Sequence, residues 1–389
     1  MHTNKVNIWE AGIRINIKIK KEFLNLINQE IKKRFKTKRA IHEKLTIHYP
    51  LLFSVFKNSM KTSYKQFVDL EIFINLCKLL KIPLGQFQEN ILAYKTRRGR
   101  NSIENPKLPI KITPIFDMIL SHHIGDGCVV NPKRNRKPYF SYRQFNKTYR
   151  ELYIKKIESV FGKLEYKNAY ATYEQTTKIY FPVVVSELMF KMYRLNIDSF
   201  RSETARIPKE IMRKNWKHKL AFLIGIIIDE GTVDSCLISI RMKNEAIIED
   251  LRDICVDLGY NCSIKQNRHG LHALYILSGG LSKFYKDYLI LAKEYPEVNL
   301  GYKGAKIKEF ISRINKPQLY MHGNDDKIIV LLSEKTLSIN ELAAKLNMTR
   351  QGARYLVKKL LRDNKIETKS IEKFGSCKYG LKVKKCFSE

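Results

Sequence analysis

The sequence predicts an α+β protein whose central part is one helix-and-strand pattern written twice. Three observations predict it. Two apolar runs each end in an acid and a glycine, "FDMILSHHIGDGCVV" at 116–130 and "AFLIGIIIDEGTVDS" at 221–235. The same order of alternating and helical stretches follows each run. Across 110–315, short alternating strands such as "YFSYRQF" and "CLISIRM" are interleaved with helices such as "TYRELYIKKIESVF" and "NEAIIEDLRDICVDLG".

At 389 residues the chain exceeds the usual length of one domain, roughly 100–200 residues, so two to four are expected. Its 44% apolar content is ordinary for a globular protein. Lysine plus arginine number 72 against 38 for aspartate plus glutamate, a formal charge of +34 at pH 7. Such an excess repels itself in a compact fold unless a polyanion is the working partner. Nucleic acid fits, because each neutralised phosphate releases condensed counterion. A lysine-rich proteome is the bland alternative. Seven cysteines, at 77, 128, 236, 255, 262, 377 and 386, form no Cys-x-x-Cys pair. A disulfide framework or zinc ribbon is not expected, and a reduced cytoplasmic or nucleoid-associated setting is. The start, "MHTNKVNIWEAGIRINIKIKK", lacks the apolar core of a signal peptide. Apolar runs fall short of the ~20 residues of a membrane span, so no membrane association is expected.

Residues 1–100 read as helical and basic. "AIHEKLTIHYPLLFSVFKNS" divides near Thr46 into two helices. In "VDLEIFINLCKLLKIPLGQFQENI", Leu70, Phe73, Ile74, Cys77 and Leu80 stand close to helical spacing, and Pro83 ends the run. The order resembles a phage-repressor-like helix-turn-helix with "HYPLLFSVFKN" as recognition helix. It reads equally as a small helical bundle without DNA contact. "YKTRRGRNSIENPKLP", polar with Gly and Pro, reads as a linker.

Residues 108–200 and 201–315 are the two copies. Asp126-Gly127 matches Glu230-Gly231, one small domain further on. After the first come "YFSYRQF", "NKTYRELYIKKIESVFGKL" and "TTKIYFPVVVSELMFKMY"; after the second, "CLISIRM", "KNEAIIEDLRDICVDLGY" and "LHALYILSGGLSKFYKDY". Each half reads αββαββα. A helix with no polar face belongs buried, here at a pseudo-twofold interface between the halves. The small residues Ser121 and Gly225 would let the two helices approach closely. The carboxylates would then emerge side by side, with Gly127 and Gly231 supplying a positive-φ turn into the next strand. Two carboxylates held together repel, and a shared divalent cation resolves the repulsion.

Residues 325–389 form a further unit, read as three helices, then strand, turn, strand. Ser338 precedes "INELAAKL" with Glu341 three residues on, a capping box. Thr349 caps "RQGARYLVKKLLRDN". "KFGS" reads as the hairpin turn. The segment resembles a winged helix-turn-helix, with Arg350, Gln351, Arg354 and Lys358 on the exposed side of its recognition helix and Lys373 and Lys378 in the wing. The alternative use of such a unit is protein contact.

The two acid-and-glycine runs, with their matching sequels, resemble the LAGLIDADG homing endonucleases in their single-chain, two-repeat form, over roughly 108–315. "ARIPKEIM" at 205–212, just ahead of the second run, is also similar to the family. The resemblance implies a DNA-binding saddle and Mg²⁺-dependent hydrolysis of double-stranded DNA, with Mn²⁺ as a substitute, by a monomer. It implies metal binding by Asp126 and Glu230, each half serving one strand, with cleavage across the minor groove and 3′ overhangs. Departures are present: His122 and His123 replace apolar residues, Ser121 stands where Gly is common, and Asp229 occupies a normally small position. Asp229 reads as structural or as a secondary contact. The histidines read as core or helix-edge residues in preference to ligands.

Relatives place polar or basic residues beyond the strands to order the attacking water. Asn146, Arg150 and Asn244 are the matching candidates. A lysine ahead of the last helix is also typical. "LGYKGAKIKEF" offers Lys303 or Lys306, with Lys306 carried forward, and "DSFRSETARIP" offers Arg201. Strands in a major groove would present alternate side chains to base edges, from Arg134, Arg136, Tyr139, Arg143, Arg241, Lys243, Lys265, Gln266 and Arg268. An ordinary solvated strand face is the alternative for these.

Two other functions share the scaffold: a DNA-binding regulator that does not cut, and an RNA-splicing maturase, for which the charge is equally suitable. The chain starts with Met and ends in "CFSE", without the His-Asn of splicing chemistry, so a free-standing protein is expected, not an intein.

Overall fold

The computed structural model describes residues 4–35, 38–45, 67–97, 99, 101–132, 137–165, 177–201, 203–234, 237–266, 270–314, 323–371 and 377–382. The chain divides into two compact units, Met1–Thr232 with Ile238–Ala305, and Val233–Leu237 with Lys306–Glu389.

The N-terminal region is a sheet with helices, not a helical domain. Strand β1 (Lys5–Val6) precedes β2 (Ile15–Ile19), where Ile15, Ile17 and Ile19 alternate with polar neighbours and are all buried. That is the period-two signal of a half-buried strand. Helices α1 (Lys21–Arg34) and α2 (Lys38–Leu45) follow. The expected recognition helix, "HYPLLFSVFKN", lies outside the described residues. After β3 (Val68–Asp69), Asp69 caps α3 (Leu70–Leu80) by accepting from the Glu71 N–H. Leu70, Phe73, Leu76, Cys77 and Leu80 are buried on α3, whereas Ile74 is half-exposed. Pro83 opens α4 (Leu84–Glu89). The expected linker contains strand: it takes in the end of β4 (Ile91–Thr96) and all of β5 (Ser102–Glu104), which pair antiparallel. Tyr94 and Ile103 are buried and in register, so two apolar side chains outweigh the Gly and Pro around them. The strand β6 (Ile110–Lys111) then pairs with β1.

The first repeat contains α5 (Pro114–Ile124), β7 (Gly127–Val130), β8 (Tyr139–Arg143), α6 (Lys147–Phe161), β9 (Lys163–Glu165), β10 (Lys178–Tyr180) and α7 (Val183–Met192). A short α8 (Lys209–Met212) leads to the second repeat. That repeat comprises α9 (Trp216–Glu230), β11 (Gly231–Asp234), β12 (Leu237–Met242), α10 (Glu245–Asp257), β13 (Cys262–Gln266), β14 (His272–Ile276) and α11 (Ser278–Glu294). The element order is therefore the same in both. The sheets differ. The second half forms a four-stranded sheet, β11-β12-β14-β13, and the first a three-stranded one, β10-β8-β7. The remaining strand, β9, joins the N-terminal sheet, whose order is β3-β2-β4-β5-β9. Helices α5 and α9 pack against each other, α5 buried from Pro114 to His123 and α9 from Leu220 to Ile228, with Phe116, Met118, Ile119 and Leu120 facing a core shared with Leu220 to Ile227.

Helix α12 (Tyr302–Ile314) follows α11. The second unit continues with α13 (Asn324–Glu334), β15 (Leu337–Ser338), α14 (Ile339–Lys345), α15 (Arg350–Arg362), β16 (Ile366–Ile371) and β17 (Cys377–Leu381). A strand thus interrupts the expected run of helices, and the sheet is β15-β17-β16. Both expected caps form. Ser338 and Glu341 bond reciprocally, and Thr349 accepts from the Gly352 N–H. Ile328, Leu332, Leu342, Ala353, Val357 and Leu360 make the core.

Candidate active site

Close backbone approach of α5 and α9 is what places the acids. A Cβ on Gly225 would come 1.8 Å from the Ser121 Oγ and 3.1 Å from the Met118 carbonyl oxygen, so with Ser121 in place there is no room for a side chain there. Four residues on, a Cβ at Gly125 would lie 2.8 Å from the Asp229 Cβ and Oδ2. Asp229 therefore occupies the space that Gly125 leaves. The glycines after the acids work differently from expectation. Gly231 is extended, φ −83°, and Gly127 is not among the positive-φ residues. Their requirement is steric: a Cβ at Gly127 would meet the His123 Cα at 2.4 Å, and one at Gly231 the Ile227 oxygen at 2.5 Å. Each strand leaves folded back against the last turn of its own helix.

Glu230 is the last residue of α9, while Asp126 sits just past the end of α5. The Gln144 amide donates to Asp126 Oδ2 at 3.3 Å. Partial desolvation, with the negative charges of Asp229 and Glu230, pushes Asp126 up to about 6, against the opposing charge of Lys303. Burial and the Asp229 charge raise Glu230 as well, and Lys303 again opposes. Lys303 is 5% exposed and donates to the carbonyls of Ile227 and Ile228, at 2.8 and 2.6 Å. It supplies a cation to the carboxyl end of α9, where the helix dipole is negative. Asp126 and Glu230 are oxygen donors whose negative charge Lys303 only partly offsets, a donor set suited to a hard divalent cation. Among the described residues, no group of three or more His, Cys, Asp or Glu is placed to hold a metal ion.

Behind the acids is a buried polar network. His122 Nδ1–H donates to Asp229 Oδ2 at 2.9 Å and the Tyr142 hydroxyl to Asp229 Oδ1 at 2.9 Å. The Asp229 side chain is wholly buried, so those donors are its solvation. His123 Nε2 meets the Tyr153 hydroxyl at 3.1 Å and its ring stacks on Phe140. Burial lowers both histidines, which keeps them neutral near pH 7. Lys156, also buried, is lowered to about 8 by desolvation, with Asp229 and Glu297 opposing. At the far ends of the two helices, buried Asp117 accepts from Lys214 Nζ at 2.7 and 2.9 Å, from His218 Nδ1 at 2.7 Å and from the Tyr193 hydroxyl. Sequence reasoning missed this clamp, although an aspartate inside "FDMIL" was its signal.

The other sequence candidates occupy varied places. Asn146 caps α6, accepting from the Thr148 and Tyr149 N–H groups, and Asn244 caps α10 while donating to the Ala205 carbonyl. Arg150 is buried, and its Nη1 donates to the carbonyls of Gln144 and Phe145. Lys303 reaches the end of α9, whereas Lys306 belongs to the second unit. Arg201 pairs with Asp198 at the surface, 2.8 Å apart. Arg143 stands opposite Lys178 at the exposed end of β8. Arg241 and Lys265 flank Ala273 in one cross-strand row, so they share a sheet face. Gln266 follows Lys265 and turns to the other face, opposite His272. Lys243 is exposed just after β12. Arg350, Gln351, Arg354 and Lys358 are all exposed on α15. Arg134, Arg136, Arg268 and Lys373 lie outside the described residues.

No family model and no curated protein matches the chain. Solved structures do. Mesophilic variants of the homing endonuclease I-DmoI are similar at 18% identity, covering 48% of this chain and 98% of that one, with a TM-score of 0.33. The homing endonuclease I-WcaI bound to its DNA recognition sequence is similar at 19% identity, over 49% of this chain and 86% of that one, TM-score 0.35. Full-length DUF199/WhiA from Thermatoga maritima is similar at 13% identity, over 64% of this chain and 90% of that one, TM-score 0.32. Among the described residues no helix is long and apolar enough to cross a membrane.

Proposed function

We propose that this protein is a site-specific double-strand DNA endonuclease of the homing type, using one carboxylate from each repeat. The observation that carries the reading is the pairing of α5 and α9. Their ends bring Asp126 and Glu230 within each other's electrostatic reach, beside the buried cation Lys303. Asp126 and Glu230 would hold Mg²⁺, or Mn²⁺ in its place. Such an ion supplies charge neutralisation at a phosphate and a water of lowered pKa. Gln144 fixes the orientation of Asp126. Lys303 steadies the end of α9 and offsets the acids. Asp229, held by His122 and Tyr142, sets the spacing of the helix ends. Arg143, Arg241, Lys243 and Lys265 supply positive charge along the strands for the DNA backbone. We read the second unit as a winged helix-turn-helix that lengthens the recognised site, with Arg350, Gln351 and Arg354 at its contact face. One chain carries both halves, so a monomer suffices.

One observation favours a second reading, a DNA-binding regulator that does not cut. The exposed row Arg350, Arg354 and Lys358 on α15 is a contact surface that hydrolysis at Asp126 and Glu230 does not require.

A randomised duplex library incubated with Mg²⁺ tests the reading, comparing wild type with Asp126→Asn and Glu230→Gln. Staggered cuts at one long site, lost in either variant, are expected. Specific binding without a cut in Mg²⁺ or Mn²⁺ would transfer the assignment to the regulator, and binding to structured RNA alone would transfer it to a maturase.

A further inference from the structure

Two aromatic side chains stand exposed, each one residue from a group that fixes the carboxylate site. Phe145 follows Gln144, which donates to Asp126, and is 76% exposed. Tyr302 precedes Lys303, which holds the end of α9 beside Glu230, and is 56% exposed. Successive Cα atoms lie about 3.8 Å apart, so the backbone bearing each ring lies one residue from a side chain that holds the site.

The exposure of Phe145 does not come from a loose loop. Arg150 Nη1 donates to the carbonyls of Gln144 at 2.8 Å and of Phe145 at 2.7 Å. The Asn146 N–H donates to Gln144 Oε1 at 3.1 Å, and Asn146 caps α6. The backbone is fixed on both sides of a ring that points into solvent, where it forgoes burial. Tyr302 packs on Tyr149, 6.1 Å between ring centroids, and Gly301 lets Tyr149 close in: a Cβ there would lie 2.7 Å from that ring. The neighbours of Phe145 are basic. Arg143 lies two residues before it, Lys147 two after, and Lys178 pairs with Arg143 across the strands. A rigid apolar ring set among cations beside paired carboxylates fits a polyanion with flat apolar faces, which describes a nucleic acid duplex.

We propose that Phe145 is a base-stacking wedge, inserting at the base step next to the scissile phosphates, with Tyr302 as a second aromatic contact. Apolar side chains that enter a groove unstack a step and bend the duplex. Stacking on an aromatic face is available to every base, so the wedge need not read sequence. This inference rests on the DNA reading above but not on cleavage itself.

The test uses the full chain and the duplex site selected from the library, carrying 2-aminopurine at each central position in turn, with Ca²⁺ as the cation. Wild type should raise the fluorescence at one step. Phe145→Ala should abolish the rise and, in Mg²⁺, slow cutting about tenfold, while Phe145→Trp retains both. Equal thermal unfolding of the variants would exclude a folding effect. A Phe145→Ala protein with wild-type fluorescence and rate would overturn the wedge and leave the nuclease intact. A Phe145-dependent rise without any cutting in Mg²⁺ or Mn²⁺ would uphold the wedge and remove the nuclease reading. A wild type that binds no duplex would overturn both.

Discussion

The two halves of the central region share an order of elements but differ where their helices cross. Helix α9 is apolar from Leu220 to Ile228 and carries its acid as its last residue. Helix α5 ends at Ile124, leaves Asp126 just beyond, and puts Ser121, His122 and His123 where α9 has Gly225, Ile226 and Ile227. The polar half is the complement of the apolar one. Ser121 fills the notch at Gly225, Asp229 fills the notch at Gly125, and His122 and Tyr142 solvate the acid that enters. An interface between two helices of matched sequence position can therefore bury a charge if the two diverge in opposite directions at matched positions.

The most damaging way to break this comparison is at the notch. Gly225→Ala should cost about 3 kcal/mol by forcing the helices apart, whereas Ser121→Gly should cost about 1 kcal/mol. The exchange Ser121→Gly with Gly225→Ala should recover most of the loss, because the contact is reciprocal. Urea unfolding of the four proteins reads it, and strictly additive losses would show that the two positions do not share the space.

A smaller effect is expected at the buried acid. Asp229→Asn should destabilise by about 2 kcal/mol, since it weakens two bonds to a charged acceptor. The same change removes a negative charge that raises Asp126 and Glu230, so it should also lower the Asp126 titration midpoint. Carbon-detected NMR of the carboxyls would show a midpoint near 6 in the wild type and a lower one in Asp229→Asn. An unchanged midpoint would detach Asp229 from the site.

The pH dependence has a definite sign. Asp126 is raised from the ordinary 3.8 to about 6, so between those values the folded form binds the proton more tightly than the unfolded form. Its contribution favours folding at low pH and is lost as pH rises through about 6. Cation affinity should run the opposite way, rising through the same range as the proton leaves. A calorimetric Mn²⁺ titration at pH 5 and pH 7 reads this, and equal affinities would contradict the assignment. The smallest effect is expected on the strands. Arg143→Ala and Arg241→Ala, one in each half, should each reduce the salt slope of DNA binding by about 0.9 for every phosphate left without its cation.

The helix pair was legible in the sequence because its signals are local: two apolar runs, an acid, a glycine and the same sequel. The Ser338 and Thr349 caps were legible for the same reason. Strand β2 was not read, although Ile15, Ile17 and Ile19 alternate, because its partner β4 lies far along the chain amid lysines and arginines. Strand β9 joins the N-terminal sheet through β5, a pairing no local pattern announces. At the site, the sequence singled out Asp126 and Glu230 as candidates, but assigned the wrong cause to Gly127 and Gly231. A glycine needed for close approach has the same sequence signature as one needed for positive φ. Lys303 and Lys306 are one helical turn apart, and only the packing against Ile227 and Ile228 distinguishes them.

The central claim is that the ends of two helices build one cation site from two carboxylates. Mn²⁺ binding followed by electron paramagnetic resonance tests it most directly, on wild type, Asp126→Asn and Glu230→Gln at pH 7. Each substitution should weaken binding about tenfold or more. Wild-type affinity in either variant would contradict the claim, because a shared ion cannot be indifferent to the loss of one of its two acids.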